Sequence, residues 1–223
     1  MMHCGAVKRD PNFSSCVAGA HLNGANTGTS FPDVKGNTWA AGSNAQTTTF
    51  SGSLLSAKFN GSSLATNNGY ISTSGIATFG TSQYTLRGWV MVPSLSGNVC
   101  IFDNRGASAV GIAIYASVSS AGVLAAFNNA AQIGTNGPAL TVNIWHYITV
   151  CRGAANAIFL GVDGTVANVG SDSRTYQTSP TFWGANNAGA QLLGGYLQDI
   201  QEYSGVALHT SAFTPTTQPF LNQ

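Results

Sequence analysis

IWHYITVCRGAANAIFLGVDGTV, residues 144–166, is the stretch on which the reading of the fold turns. Two apolar runs, WHYITVCR (145–152) and AIFLGVD (157–163), flank GAAN, a short loop of the kind that closes an antiparallel pair. In the first run Ile148 and Val150 share a parity with His146, while Trp145, Tyr147, Thr149 and Cys151 take the other. Both parities are fairly apolar. That predicts a strand in a sheet covered on both faces, or one covered by a neighbouring chain.

Outward from this hairpin the same pattern repeats. TLRGWVMV (85–92), NVCIFD (98–103), VGIAIYASV (110–118), GVLAAFN (122–128) and GYLQDIQEY (195–203) are short apolar or alternating runs, and clusters such as PSLSGN, DNRGAS, TNGP and ANNAGA separate them. Many short strands with Gly- and Asn-rich turns predict an all-β sandwich or barrel with little helix. VGIAIYASV and GVLAAFN, joined by SSA, read as a second hairpin. Residues 1–12 read as an N-terminal arm. Residues 13–223 read as one domain, with a Pro-containing C-terminal wrap at 214–223. No internal repeat is visible.

Composition narrows the function. Charged residues make up 7% of the 223, against about 25% in an ordinary domain. The net charge of +1 leaves no basic footprint, so no nucleic-acid partner is expected, nor a polybasic membrane anchor. No apolar run approaches the roughly 20 residues of a membrane helix. MMHCGAVKRD lacks the apolar stretch of a secretory signal, so an unprocessed product is expected to stay in the cell that makes it or be assembled there. The cysteines at 4, 16, 100 and 151 show no C-x-x-C spacing. Cys100 and Cys151 read as buried structural thiols; a Cys4–Cys16 disulfide would need an oxidising setting.

DPNFSSCVAGAHLNG (10–24), FPDVKGNTWAAGSNAQTTT (31–49), FNGSSLATNNGYISTS (59–74) and YTLRGWVMVPS (84–94) lead into the central hairpin, and GGYLQDIQEYSGVALHTSAFTPTTQPF (194–220) closes the chain. This order resembles the laminin-G-like, concanavalin-A-like lectin/glucanase domains found in bacteriophage structural proteins. The segments that carry it are W-H-(H/Y)-x-x-x-x-R…(L/V)-x-x-(D)-G at 145–164 and V-A-x-(H/Y)-T-x-x-F-T-P-x-T-x-P-F at 206–220, the latter phage-like. The resemblance implies an all-β, concanavalin-A-like jelly-roll sandwich of two antiparallel sheets with loops clustered at one rim. Related rims bind Ca2+, but the family's Gly-Asp-Tyr is Asn68-Gly69-Tyr70 here, and six Asp are spread along the chain. Calcium wants several hard oxygens, so no cofactor is expected.

The fold also hosts glycoside hydrolases, which need two carboxyl groups about 5–9.5 Å apart. Asp199 and Glu202, the only Glu, are the one candidate pair. On a regular strand they face opposite sides, so catalysis is not expected and no catalytic residue is assigned. There is no G-x-S-x-G elbow, and His146 reads as a packed sheet histidine. His3, Cys4 and Cys16 could form at most a partial metal site. Sugars stack on aromatic rings. Trp89 and Trp145 read as buried, and Trp183 as the end of a core strand. Trp39, in a polar stretch, and Tyr70 are the best candidates for exposed rings. Asn67, Asn68, Asp103, Asn104, Arg105, Asn186 and Asn187 would supply hydrogen bonds at the rim, though each also suits a turn.

Three Lys and one Glu are very few for a solitary surface, and lysine commonly guards sheet edges. The expectation is a non-enzymatic virion structural protein, a capsid-decoration or tail/fibre subunit. It would be present in many copies or as a homo-oligomer, docked on other virion subunits and touching host-surface glycans weakly. The alternatives are a free carbohydrate-binding module or lectin and, less favoured, a glycoside hydrolase.

Overall fold

The central hairpin forms as read. β11 (Trp145–Arg152) pairs antiparallel with β12 (Ala157–Val162), with Ile148 opposite Val162 and Val150 opposite Leu160. The computed structural model describes residues 10–42, 45–50, 54–59, 69–74, 76, 79–95, 97–106, 110–117, 122–129, 131–216 and 220; for 47–50, 54–59 and 117 only the backbone is considered. Beyond β12 lies β13 (Thr165–Ser171). On the other side of β11 come β6 (Tyr84–Met91), β15 (Tyr196–Ser204), β4 (Leu54–Phe59) and β3 (Ala45–Phe50). β1 (Cys16–Ala20) joins β15 as the remaining strand of this eight-stranded sheet. A seven-stranded sheet packs against it in the order β10 (Ala131–Gln132), β9 (Val123–Asn128), β8 (Ala113–Ser117), β7 (Val99–Asp103), β14 (Thr181–Trp183), β5 (Ile71–Thr73) and β2 (Ala40–Ala41). Every pairing is antiparallel. The protein is an all-β jelly-roll sandwich. Two single-turn 3-10 segments are the only helical turns among the described residues.

The core lies between the sheets. Leu86, Val90, Ile148, Val150, Leu160 and Ile200 from one face meet Ile101, Ile112, Ile114, Leu124 and Trp183 from the other, all under 3% exposed. Each such side chain contributes roughly 1.5–3 kcal/mol by leaving water.

Both faces of β11 are apolar because both are covered. Residues 206–213 of the same chain cross the outer face of the eight-stranded sheet. Thr85 Oγ1 donates to the Val206 carbonyl and accepts from the Leu208 N–H, each at 2.9 Å. The Phe213 N–H reaches the Gly164 carbonyl at 3.1 Å. His209 stacks on Phe213 with centroids 3.8 Å apart, and Phe213 meets Tyr147 edge-on at 5.8 Å. This covering segment starts upstream of the wrap read at 214–223. Trp89 and Trp145 correct the sequence reading. They lie on this outer face, half-buried rather than buried, against Tyr147 and Tyr196 respectively. Trp183 is fully buried, and Cys16, Cys100 and Cys151 are buried free thiols. Burial pushes the Cys16 thiol up to about 12. His3 and Cys4 lie outside the described residues.

The arginine that closes the 145–152 motif is itself a core element. Arg152 is 0% exposed, and its guanidinium donates to the carbonyls of Gly80, Ser82 and Arg174 at 2.5–3.0 Å. It lies 4.4 Å from the centroid of Tyr176 and 5.4 Å from that of Tyr84. No carboxylate pairs with it among the described residues. Three backbone turns are thereby tied to β11.

Candidate functional site

One row of residues crosses the seven-stranded sheet. In register from one edge to the other it runs Ala40, Ser72, Phe182, Asp103, Ala113, Phe127, Gln132. The neighbours of these residues along each strand (Trp183, Phe102, Ile114, Ala126) are in the core, so by alternation the row faces outward. A second row brings Cys100, Tyr115 and Ala125 to the same face. Cys100, Ala113 and Tyr115, with Phe127 beside them, form an apolar cluster separate from the main core.

Arg105 ties this face together. Its Nε and Nη2 donate to the two oxygens of Asp103 at 3.0 and 2.8 Å. Nη2 also reaches Tyr115 Oη at 2.9 Å, and Nη1 donates to the Asn129 carbonyl. Asp103 is 0% exposed, and its oxygens further accept the backbone N–H groups of Arg105 and Asn187 at 2.8 and 3.0 Å. Burial works against the Arg105 charge, but the Asp103 hydrogen bonds and its negative charge outweigh it and hold the guanidinium above its ordinary range. Burial pushes the Tyr115 hydroxyl up as well. Beside this pair opens a shallow pocket of about 200 Å³, lined by Asn98, Arg105, Tyr115, Phe127 and Gln191.

The residues read from sequence divide here. Asp103, Arg105 and the backbone of Asn187 come together at the pocket. Asn186 shapes the adjacent loop: its Oδ1 accepts from the Ala188 and Ala190 N–H groups, and its Nδ2 donates to Gln191 Oε1 at 3.0 Å. Asn104 is buried, its Oδ1 accepting the Ile112 N–H at 2.8 Å. Tyr70 is half-buried at the far end of the face, tilted against Phe182 with centroids 5.5 Å apart. Trp39 is a correction. The expected exposed ring is 6% exposed and turns into the core, because its indole N–H finds Asp33 at 2.9 Å. Asn67 and Asn68 lie outside the described residues. Tyr115, Phe127, Asn98 and Gln191 were not singled out from sequence. Both parities of β8 are apolar, so no pattern in the sequence marks Tyr115 or Phe127; only the β8–β9 register brings them to one face.

The implied calcium does not fit at Asp103, where four donors already occupy the two carboxylate oxygens. Among the described residues no three His, Cys, Asp or Glu side chains form a metal-binding group. Asp199 and Glu202 sit around a β-bulge in β15, with Asp199 at φ +49°. The bulge does not give them a common cleft. Glu202, 2% exposed, accepts the Trp183 indole N–H at 2.8 Å, while Asp199 pairs with His21 Nδ1 at 2.7 Å. Burial outweighs the Trp183 hydrogen bond and raises Glu202 from 4.5 to about 8. His146 is a packed sheet histidine. Its Nδ1 meets Asp163 at 2.6 Å, and its Nε2 accepts the Thr141 N–H at 2.9 Å.

Two antiparallel sheets packed face to face define the jelly-roll class of β-sandwich. The sequence match agrees: residues 65–211 match the family model of the concanavalin A-like lectin/glucanases superfamily, and the chain belongs to that family. No curated protein matches the sequence. Among solved structures, the binding domain of Paraclostridial Mosquitocidal Protein 1 aligns with a TM-score of 0.65 at 16% identity, over 89% of this chain and 51% of that one. Trypanosoma rangeli sialidase in complex with sialic acid aligns at 0.63 and 15%, over 87% and 31%. The botulinum neurotoxin serotype G binding domain aligns at 0.58 and 12%, over 87% and 49%. The chain thus spans about half, or a third, of the length of these structures, and the likeness is one of fold.

Proposed function

We propose that the chain is a non-enzymatic structural protein of a bacteriophage virion, a capsid-decoration or tail/fibre subunit that displays a lectin-like domain with weak glycan adhesion. The adhesive part is carried by the outer face of the seven-stranded sheet, where an aromatic ring and amides border one shallow pocket. Membership of the concanavalin A-like lectin/glucanases superfamily is consistent with it.

The assembled, multi-copy part is supported by the surface. Among the residues whose side chains are described, only Lys35, Asp163 and Arg174 are both charged and exposed. Such a surface lacks the charge that keeps free domains apart and suits coverage by virion subunits. The phage-like closing motif lies at 206–220. A non-enzymatic reading is supported by Glu202, whose carboxyl is buried behind Trp183.

Light scattering on the purified chain, together with mixing it with particles that lack it, tests the reading. Multimers or stoichiometric particle binding are expected. A monomer that ignores particles yet binds sugar would replace the virion role with that of a free carbohydrate-binding module.

A further inference from the structure

We propose that the pocket beside Arg105 is built for neutral saccharides and discriminates against sialylated or other carboxylate-bearing ones. The inference rests on the glycan-binding reading above and names the ligand class of that site.

The argument is one of donors and charge. A guanidinium has five N–H groups. In Arg105 the Nε hydrogen goes to Asp103, the two Nη2 hydrogens go to Asp103 and Tyr115, and one Nη1 hydrogen goes to the Asn129 carbonyl. One N–H remains. Arginine holds a carboxylate most strongly and specifically through two parallel N–H groups, and Arg105 has no second one to give. The charge is spent as well, because the paired carboxylate sits directly behind it with 0% exposure. Redirecting Arg105 to an acidic sugar would leave Asp103 buried without its counter-charge, a strongly unfavourable state. Among the described residues the pocket lining holds no lysine and no second arginine.

What the pocket does hold suits an uncharged sugar ring. Phe127 is half-buried and offers an apolar surface for sugar C–H groups. Asn98 and Gln191 are exposed amides. Gln191 Oε1 is engaged by Asn186, so what Gln191 has to offer a ligand hydroxyl is its NH2 group. The single free N–H of Arg105 adds one more donor. At about 200 Å³ the pocket is smaller than the pockets of roughly 300–1,000 Å³ that enclose drug-sized ligands. It accepts one ring, and many copies would supply avidity.

The test presents the full chain, multimerised, to an array of paired glycans, each neutral oligosaccharide beside its sialylated counterpart. Calorimetry then follows on the best neutral glycan with the wild type, Phe127→Ala, Gln191→Ala and Asp103→Asn. Neutral members should bind, and their sialylated partners should bind at least tenfold more weakly. Phe127→Ala should lose at least tenfold, and the exposed Gln191→Ala severalfold. Binding of the neutral glycan should be unchanged from about 0.05 to 0.5 M NaCl, a range that screens ionic contacts. Folded Asp103→Asn should narrow the gap between neutral and sialylated glycans by tenfold or more. Should that variant not fold, the salt series and Gln191→Ala still decide. Equal or tighter binding of the sialylated members, or neutral binding that salt abolishes, would overturn the proposal and leave the glycan reading standing. Binding to neither member of any pair would remove both.

Discussion

Glu202 gives the sharpest test of the architecture. It is the only Glu in the chain, lies 2% exposed between the sheets, and accepts the Trp183 indole N–H. With its folded value near 8 and its ordinary value at 4.5, the folded state binds the proton more tightly than the unfolded chain does. Between those two values the native state carries more protons, so stability falls as pH rises. The contribution is complete below pH 4.5 and gone above pH 8. At about 1.4 kcal/mol per pH unit the whole interval corresponds to no more than about 5 kcal/mol, and entry of water around the ionised carboxylate reduces this to about 2–4. Glu202→Gln keeps the volume and an acceptor for Trp183 but has no proton to lose. Urea unfolding followed by tryptophan fluorescence at a series of pH values should show the wild type losing about 2–4 kcal/mol between pH 4.5 and 9, with somewhat under half of that loss above pH 6.5. The variant should match the wild type in mild acid and exceed it by that amount in mild base. A wild-type midpoint that stays flat above pH 6.5, or a variant that falls in parallel, would refute the reasoning.

Further expectations follow from other buried groups. Among the described residues His209 Nε2 has no hydrogen-bond partner, and burial lowers the ring to about 4, so its contribution is present above pH 6.5 and lost as pH falls through 4. His209→Phe should therefore flatten the acid limb of the stability profile while keeping the stack on Phe213. Arg152→Met leaves three carbonyl groups without their donor and should cost about 3–5 kcal/mol in chemical denaturation. Gly164 sits at φ +86°, and a Cβ there would come within 1.9 Å of the Phe213 carbonyl oxygen. Gly164→Ala should lift the 206–213 segment off the sheet and make Cys151 react with a thiol reagent under native conditions, where the wild-type thiol does not.

The strands were legible because alternation is a backbone property. Runs such as TLRGWVMV and AIFLGVD kept their identity to within a residue or two. The faces were harder. Where both parities are apolar, as in β8 and β11, the pattern gives a strand but not its inward side. Tyr115 and Phe127 gain their meaning only once the β8–β9 register brings Ala113 opposite Phe127 and Tyr115 opposite Ala125. Trp39 misled because its neighbours are polar, yet one of them, Asp33, satisfies its N–H and lets the ring enter the core. Asp103 and Arg105 were visible as rim residues two positions apart. Their mutual neutralisation depends on the turn that folds one side chain back on the other.

The measurement that bears most directly on the central claim is a backbone NMR titration of the chain with the tightest-binding neutral glycan. The account predicts shifts confined to Asn98, Arg105, Tyr115, Phe127 and Gln191 on the outer face of the seven-stranded sheet. Shifts centred instead on the eight-stranded sheet, around Trp89 and Tyr196, would contradict it.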